Sequence, residues 1–266
     1  MHSLIVQAQK GFSTLPVQQS VVQNALVFLT EWLTKDTYKE YVPQIEHLIV
    51  TERWEYLLDS FYQVIPFGTG GRRGEVGIGP NRINLFTIQA SAQGHAQYLL
   101  KKYQHQAQER GVVCVYDMRE FLGNAYLTNA LPNPVKNLTS KDLAIAAATV
   151  YAANHIKCYL FNDIRTTPEL SFAVRYLHAI AGDVFSASHN PPHHNGKKVY
   201  DASGGQLIPP EDQVLADEVT QQVKQIERIS YEEAVAQGLI IQIGSVVDEQ
   251  YINAATAISL PFTKIH

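Results

Sequence analysis

Three short apolar runs, residues 112–116 (Val-Val-Cys-Val-Tyr), 157–161 (Lys-Cys-Tyr-Leu-Phe) and 182–186 (Gly-Asp-Val-Phe-Ser), alternate with stretches of helical periodicity. Runs of this length read as buried strands. Strands that alternate with helices favour a mainly parallel sheet with helices crossing over both faces. A helix is predicted from just after Pro80 to about Tyr103. A second opens at Thr139-Ser140-Lys141-Asp142, a capping signal, and follows an alanine-rich face to Asn154. In the stretch Thr166-Thr167-Pro168-Glu169, Thr167 is expected to cap a third helix, with Pro168 in its first position. Lys198-Val199-Tyr200 reads as a fourth strand. Residues 211–226 read as a helix with Val214, Leu215, Val219 and Val223 on its inner face. The expected fold class is α/β: a three-layer α/β/α domain with a mainly parallel mixed sheet.

The first sixty residues differ from this pattern. Val22, Leu26, Leu29 and Leu33 recur at helical spacing beside Phe28 and Trp32. Thr51 is placed to cap a further helix carrying Trp54, Leu57, Leu58 and Phe61. The expected division is a helical extension (1–62), the α/β domain (63–240) and a short closing segment (241–266). With 45% hydrophobic residues in 266, the chain can build a sizeable core. A net charge of −4 and the lack of a basic run argue against a nucleic-acid partner. No apolar stretch approaches the ~20 residues of a membrane span, and no leader pattern is evident, so a cytoplasmic location is expected. Cys114 and Cys158 fall in predicted strands and read as reduced core residues.

One segment carries chemistry. Ser186-Ala187-Ser188-His189-Asn190-Pro191-Pro192 follows the third predicted strand, and Asn195-Gly196-Lys197-Lys198 comes shortly after. A hydroxyl on a turn stiffened by Asn and Pro, with cations close by, suits a transferable phosphate. The turn fixes the line of attack and the cations offset charge on the phosphoryl oxygens. Its place at the carboxyl end of a strand is where open α/β sheets hold ligands. A second loop, Phe67-Gly68-Thr69-Gly70-Gly71-Arg72-Arg73-Gly74, can offer backbone N–H groups and guanidinium forks to an anion. It is neither a Walker A loop nor a dinucleotide fingerprint.

The serine segment resembles the active-serine loop of the α-D-phosphohexomutase family, and the glycine-rich loop resembles that family's N-terminal Gly-Thr-Ser-Gly-x-Arg block, with Gly70 in place of the usual serine. The resemblance implies that Ser188 is the phosphoserine and, through its phosphate, a metal ligand. It implies that Lys198 is the general acid/base, that His189 matches the histidine after the serine, and that Thr69, Arg73, Asn190 and His189 bind substrate. Arg72 has no family counterpart and reads as a solvated charge. The Thr-Pro helix matches too, its role structural, with Arg175 expected to pair on the helix surface. Asp117-Met118-Arg119 resembles the family's Asp-x-Arg, followed here by an Asn- and Pro-rich stretch, 122–138, read as an inserted surface loop.

Members of that family bind Mg²⁺ through the phosphoserine and an Asp-x-Asp-x-Asp loop in a second domain, with glucose 1,6-bisphosphate as activator. No such triplet occurs in these 266 residues. Residues 246–251 resemble the entry into that second domain, so the expectation is a first domain plus the start of the next. Such a chain would be inactive alone and partnered by the remaining domains and a phosphosugar; its oligomeric state is left open. The branch resembled most is phosphoglucomutase and phosphopentomutase, with phosphomannomutase, a sugar-bisphosphate synthase and a non-catalytic phosphosugar-binding unit as alternatives. Zinc at His189, His193 and His194 is disfavoured, because a Pro-Pro turn separates them and no cysteine or acidic ligand is near in sequence. A serine hydrolase is disfavoured by the lack of a Gly-x-Ser-x-Gly elbow.

Overall fold

A computed structural model describes residues 2–68 and 70–259, apart from the side chain of Gln221. Four helices come first: α1 (His2–Phe12), α2 (Gln19–Thr34), α3 (Val42–Val50) and α4 (Trp54–Phe61). Then follow β1 (Gly71–Glu75), α5 (Leu85–Tyr103), α6 (His105–Arg110), β2 (Val112–Tyr116), α7 (Ser140–Ala153), β3 (Cys158–Phe161) and α8 (Thr167–Tyr176). The remainder is β4 (Ala181–Phe185), β5 (His194–Asp201), α9 (Glu211–Asp217), α10 (Tyr231–Ala236), β6 (Ile240–Ile243) and α11 (Ser245–Ala257).

The strands form one six-stranded sheet in the order β1-β5-β4-β2-β3-β6. The β2–β3, β2–β4 and β3–β6 pairs are parallel, whereas β5 runs antiparallel to both β4 and β1. This is the expected three-layer α/β/α arrangement. Strand alternation divides the core in two. Val112, Cys114 and Tyr116 face α5, α7 and the N-terminal helices, while Val113 and Val115 face α8 and Val247 of α11. Both faces are covered, which is why β2 reads as an unbroken apolar run.

Helix starts follow local capping chemistry. Asn84 caps α5 in a reciprocal box with Thr87, and Thr139 caps α7 in one with Asp142. Other boundaries differ from expectation. Thr166, not Thr167, is the N-cap of α8, so Pro168 takes the second position. Thr51 ends α3 and Arg53 precedes α4. The helix expected over 211–226 stops at Asp217, passes through a π-helical turn (Glu218–Gln222) and becomes extended at Val223. Val214 is consequently exposed, although Leu215 and Val219 are buried as expected. Residues 122–138 hold no helix or strand but are not a loose loop: Val135 and Leu138 are buried, Tyr126 stacks on Tyr56 at 4.2 Å, and Gln44 of α3 donates to the carbonyls of Thr128 and Pro132. Of the closing segment read over 241–266, residues 241–257 continue the same sheet and its helical layer, and 260–266 lie outside the described residues. There Asp248 of α11 accepts two hydrogen bonds from Arg165, at 2.6 and 2.8 Å. Cys114 and Cys158 are buried free thiols 3.5 Å apart. Among the described residues no helix is long and apolar enough to cross a membrane.

The α5/α7 side of the sheet contains a buried polar cluster. Lys197 Nζ of β5 lies 3.1 Å from Asp183 Oδ2 of β4. Tyr151 of α7 donates to the same oxygen at 2.5 Å and accepts from Lys197 at 2.8 Å; His95 Nδ1 of α5 is 2.7 Å from the Tyr151 hydroxyl. Burial alone would raise the Asp183 carboxyl, but the charge of Lys197 and the hydrogen bonds from His95 and Tyr151 outweigh it and hold it below its ordinary value. Burial, then the nearby Lys197 ammonium, pushes His95 down and keeps it neutral.

Removing one partner of such a pair leaves a buried, unpaired charge. Asp183→Ala is expected to lower the unfolding free energy by ~3–5 kcal/mol, measured by urea denaturation. A loss below ~1 kcal/mol, the range of exposed pairs, would mean that the cluster is incidental. The pH dependence has a fixed sign. Below the ordinary histidine value of 6.5 the unfolded chain gains a proton that folded His95 refuses. The contribution of Asp183 is complete above 3.8 and is lost as pH falls through its lowered folded value. The melting temperature should therefore fall between pH 7 and 5, with a shallower slope in His95→Gln; equal slopes would refute the assignment.

Candidate active site

The edge strand β1 brings the glycine-rich loop to β5. Its register sets Gly71 opposite Lys198 and Arg73 opposite Gly196. Residues directly opposite share a face, and alternate residues along a strand share it too. Arg73 and Lys198 therefore lie on one face of the sheet, and Arg72 and Lys197 on the other. The approach is close: a Cβ on Gly71 would lie 2.2 Å from the Lys197 carbonyl oxygen. Gly70 adopts φ +63°, and a Cβ there would sit 2.7 Å from the Leu207 carbonyl oxygen, which gives a physical reason for glycine in place of serine.

Pro66, Gly68, Gly71, Arg73, Lys198 and Gln206 line a concavity of about 390 Å³. Lys198 is half-buried and donates to Gln206 Oε1 at 3.2 Å. Burial, and then the positive charge of Arg73, lower its ammonium below the usual lysine range. A lysine tuned in this direction gives up and takes back a proton more readily near neutral pH. Thr69 lies outside the described residues.

Ser188 is exposed three residues beyond β4 and takes the left-handed conformation, φ +57°, that non-glycine residues seldom adopt. Such a backbone persists only where its surroundings fix it. Arg119 does so: its guanidinium donates to the carbonyls of Ser188 (2.6 Å), Asn190 (2.9 Å), Pro191 (2.8 Å) and His194 (3.2 Å). Asp117 holds the arginine in turn, through Nε at 3.1 Å and its backbone N–H at 3.0 Å. Asp117 also accepts from Ser140 at the start of α7, and Ser140 accepts from Asn195 of β5. The loop is thus tied to β2, α7 and β5 together. His189 is exposed, its Nδ1 3.5 Å from Ser188 Oγ, too far for a working hydrogen bond in this arrangement.

Ser188 and Asn190 line a second concavity, about 470 Å³, with Asp117, Arg119 and Pro192. Two groupings therefore emerge: Arg73 with Lys198, and Ser188 with His189, Asn190 and Arg119. Arg119 is the residue whose importance the sequence understated, although the Asp-x-Arg signal after β2 marked it. Arg72 is not a solvated charge; it is 1% exposed, turned to the opposite face from Arg73. Arg175 is exposed and forms no ion pair among the described residues.

Two metals can be compared with these residues. The β1–β5 register brings Glu75 to His193, with Oε1 3.6 Å from Nε2, and the ligand atoms of Glu75, His193 and His194 lie within 4.8 Å of one another. An acidic neighbour is therefore present, contrary to expectation, although Glu75 also lies 3.6 Å from Arg82. For Mg²⁺ the residues around Ser188 do not make a site. Asp117, the carboxylate lining its cleft, is engaged by Arg119 and Ser140, so these residues supply only an oxygen of a phosphorylated Ser188.

Residues 136–226 match the family model for the phosphoglucomutase/phosphomannomutase alpha/beta/alpha domain I. A phosphoglucomutase of Staphylococcus saprophyticus is 34% identical over 225 residues, a match covering 84% of this chain and 35% of that protein. A phosphopentomutase of Homo sapiens is 32% identical over 194 residues, covering 73% and 30%. A solved structure described as a phosphomannomutase from Thermus thermophilus superposes with a TM-score of 0.51 at 28% identity, covering 73% of this chain and 36% of that one. The chain spans about a third of the length of these curated relatives.

Arg119→Met removes four carbonyl contacts without opening the core. Hydrogen exchange across 187–194 should accelerate at least about tenfold while β2 keeps its protection; unchanged exchange in the loop would show that Arg119 does not hold it.

Proposed function

The chain belongs to the α-D-phosphohexomutase family, and from that premise we propose that it carries the phosphoryl-transfer residues of a sugar-phosphate mutase acting on glucose 1-phosphate and glucose 6-phosphate. The observation that carries the reading is the exposed Ser188 on a strained, arginine-pinned loop at the carboxyl end of a central strand. A fixed hydroxyl there has a defined line of approach, and transfer depends mainly on positioning and on offsetting charge.

Phospho-Ser188 gives its phosphoryl group to a sugar hydroxyl, breaking the P–O bond to serine as the new P–O bond forms. Lys198 takes the proton of that hydroxyl and returns it in the reverse half-reaction, which the lowering of its ammonium favours. Arg73, on the same face as Lys198, holds the non-reacting phosphate of the substrate. The bisphosphate formed turns over and returns a phosphoryl group to Ser188. His189 and Asn190 contact the sugar from the serine loop. A phosphorylated Ser188 would offer one oxygen to Mg²⁺, which when bound would supply charge neutralisation at that phosphate. The 266 residues alone are expected to bind phosphosugar without converting it. A cytoplasmic enzyme is the setting that fits these substrates. Glucose is placed ahead of mannose on the resemblance of the Ser171–Arg175 and Lys197–Asp201 stretches to the phosphoglucomutase and phosphopentomutase branch, with pentose phosphates kept as the alternative within that branch. The relatives named above include both activities.

The test is a coupled assay with glucose 1-phosphate, Mg²⁺ and a trace of glucose 1,6-bisphosphate, on an enzyme joining these residues to the metal-bearing domain. Ser188→Ala should abolish turnover, and Lys198→Met should lower kcat by about 10²–10⁴. Near-normal turnover of Ser188→Ala would refute the reading. Faster conversion of ribose 1-phosphate or mannose 1-phosphate would reassign the sugar while leaving the transfer mechanism in place.

A further inference from the structure

The Arg72 side chain lies away from the candidate active site and in an unfavourable electrostatic position. The β1–β5 register sets it directly opposite Lys197, on the α5/α7 face of the sheet. Lys197 is compensated by Asp183, but Arg72 has no such partner: its guanidinium makes no hydrogen bond or ion pair among the described residues, and its buried Nε and Nη2 are unsatisfied. Buried charges are retained in proteins when paired, so a guanidinium in this state points to a partner that the described residues do not supply.

Arg72 lines a cavity of about 410 Å³ between α2, α5 and the segment 219–228. The same cavity is lined by Lys35, Lys224, Arg228 and one carboxylate, Glu31. Glu31 is already taken, 2.6 Å from Lys35 Nζ. Arg72, Lys224 and Arg228 are left without a carboxylate partner among the described residues. One wall is the π-helical turn at Glu218–Gln222, an irregularity frequent at functional sites. The aromatic side chains of Phe28, Trp32 and Phe86 form much of another wall and lower the local dielectric. Neither Ser188, Arg73 nor Lys198 reaches this cavity.

We propose that this cavity is a second anion site that takes the phosphate group of a small phosphate ester, with Arg72 as the bidentate donor at its base and Arg228 and Lys224 at its rim. Three uncompensated cations match a phosphate dianion better than a single carboxylate, and the planar guanidinium fork fits two phosphate oxygens. Burial lowers Arg72 to about 10, so it stays charged at neutral pH and is available to the ligand. The site is independent of the mutase reading. It explains the Arg72-Arg73 doublet: the strand pleat sends one guanidinium to the candidate active edge and the other to this cavity.

The experiment uses calorimetry and thermal melting of the 266-residue chain at low ionic strength, with Arg73→Gln in every protein to silence the other candidate phosphate contact. The probes are inorganic phosphate, glucose 6-phosphate and acetate. The Arg73→Gln chain is expected to bind one phosphate and to melt at a higher temperature in its presence. Adding Arg72→Met should weaken that binding at least tenfold while leaving the melting temperature without phosphate equal or higher, because a buried unpaired charge has been removed. Tighter binding of glucose 6-phosphate than of inorganic phosphate identifies an ester as the ligand class, and the reverse order overturns that part. Equal phosphate binding with and without Arg72, or stabilisation by acetate as strong as by phosphate, overturns the proposal. If Arg72→Met does not fold, the rim pair Lys224→Gln and Arg228→Gln decides: a several-fold loss of phosphate binding supports the site, and no change overturns it.

Discussion

The buried pair between Asp183 and Lys197 fixes the arrangement on which the candidate site depends. It joins β4 to β5 diagonally on the α5/α7 face of the sheet, with Tyr151 and His95 completing the contacts from α7 and α5. Because side chains alternate along a strand, anchoring Lys197 inward turns Lys198 to the other face. A one-residue slip of β5 would exchange the two lysines and bury the wrong one at a cost of several kcal/mol. The register then passes to β1, where the same alternation separates Arg72 from Arg73. Two basic doublets that look redundant in the sequence are each divided by the pleat into one buried and one edge-facing cation.

The serine loop depends on a second, smaller set of contacts. Arg119 gathers four carbonyls of a turn rich in Asn and Pro, in which Pro191 and Pro192 have no N–H to donate; the Pro191 carbonyl also accepts from the His194 backbone N–H at 3.0 Å. The left-handed backbone at Ser188 is the local cost of presenting its hydroxyl outward. The insertion at 122–138 begins three residues after Arg119 and packs back on α3 and α4, so the helical N-terminal region helps to brace the segment that carries this arginine.

Much of the fold was legible because its signals are local. The strand over 112–116 and the capping box at Thr139 depend on residues within a few positions of one another. What escaped depends on distant partners. The glycine-rich stretch Gly71–Glu75 has no apolar alternation and becomes a strand because β5 accepts it at close range. Ile240–Ile243 is a short run that gains its identity from pairing with β3. The helix after Glu211 gives way where Val219 must pack against Gly94 of α5, a contact no periodicity shows. In the site, the serine loop was readable from its own sequence. The burial of Arg72, the approach of Glu75 to His193 and the grip of Arg119 arise from pairing across more than fifty residues.

Phosphopeptide mapping after incubation with glucose 1,6-bisphosphate tests the central claim most directly, because it asks whether Ser188 accepts a phosphoryl group. The account predicts a single added phosphoryl group, placed by fragmentation on Ser188, and none in Ser188→Ala. Phosphorylation at Ser186 or elsewhere with Ser188 unmodified, or incorporation undiminished in Ser188→Ala, would contradict it.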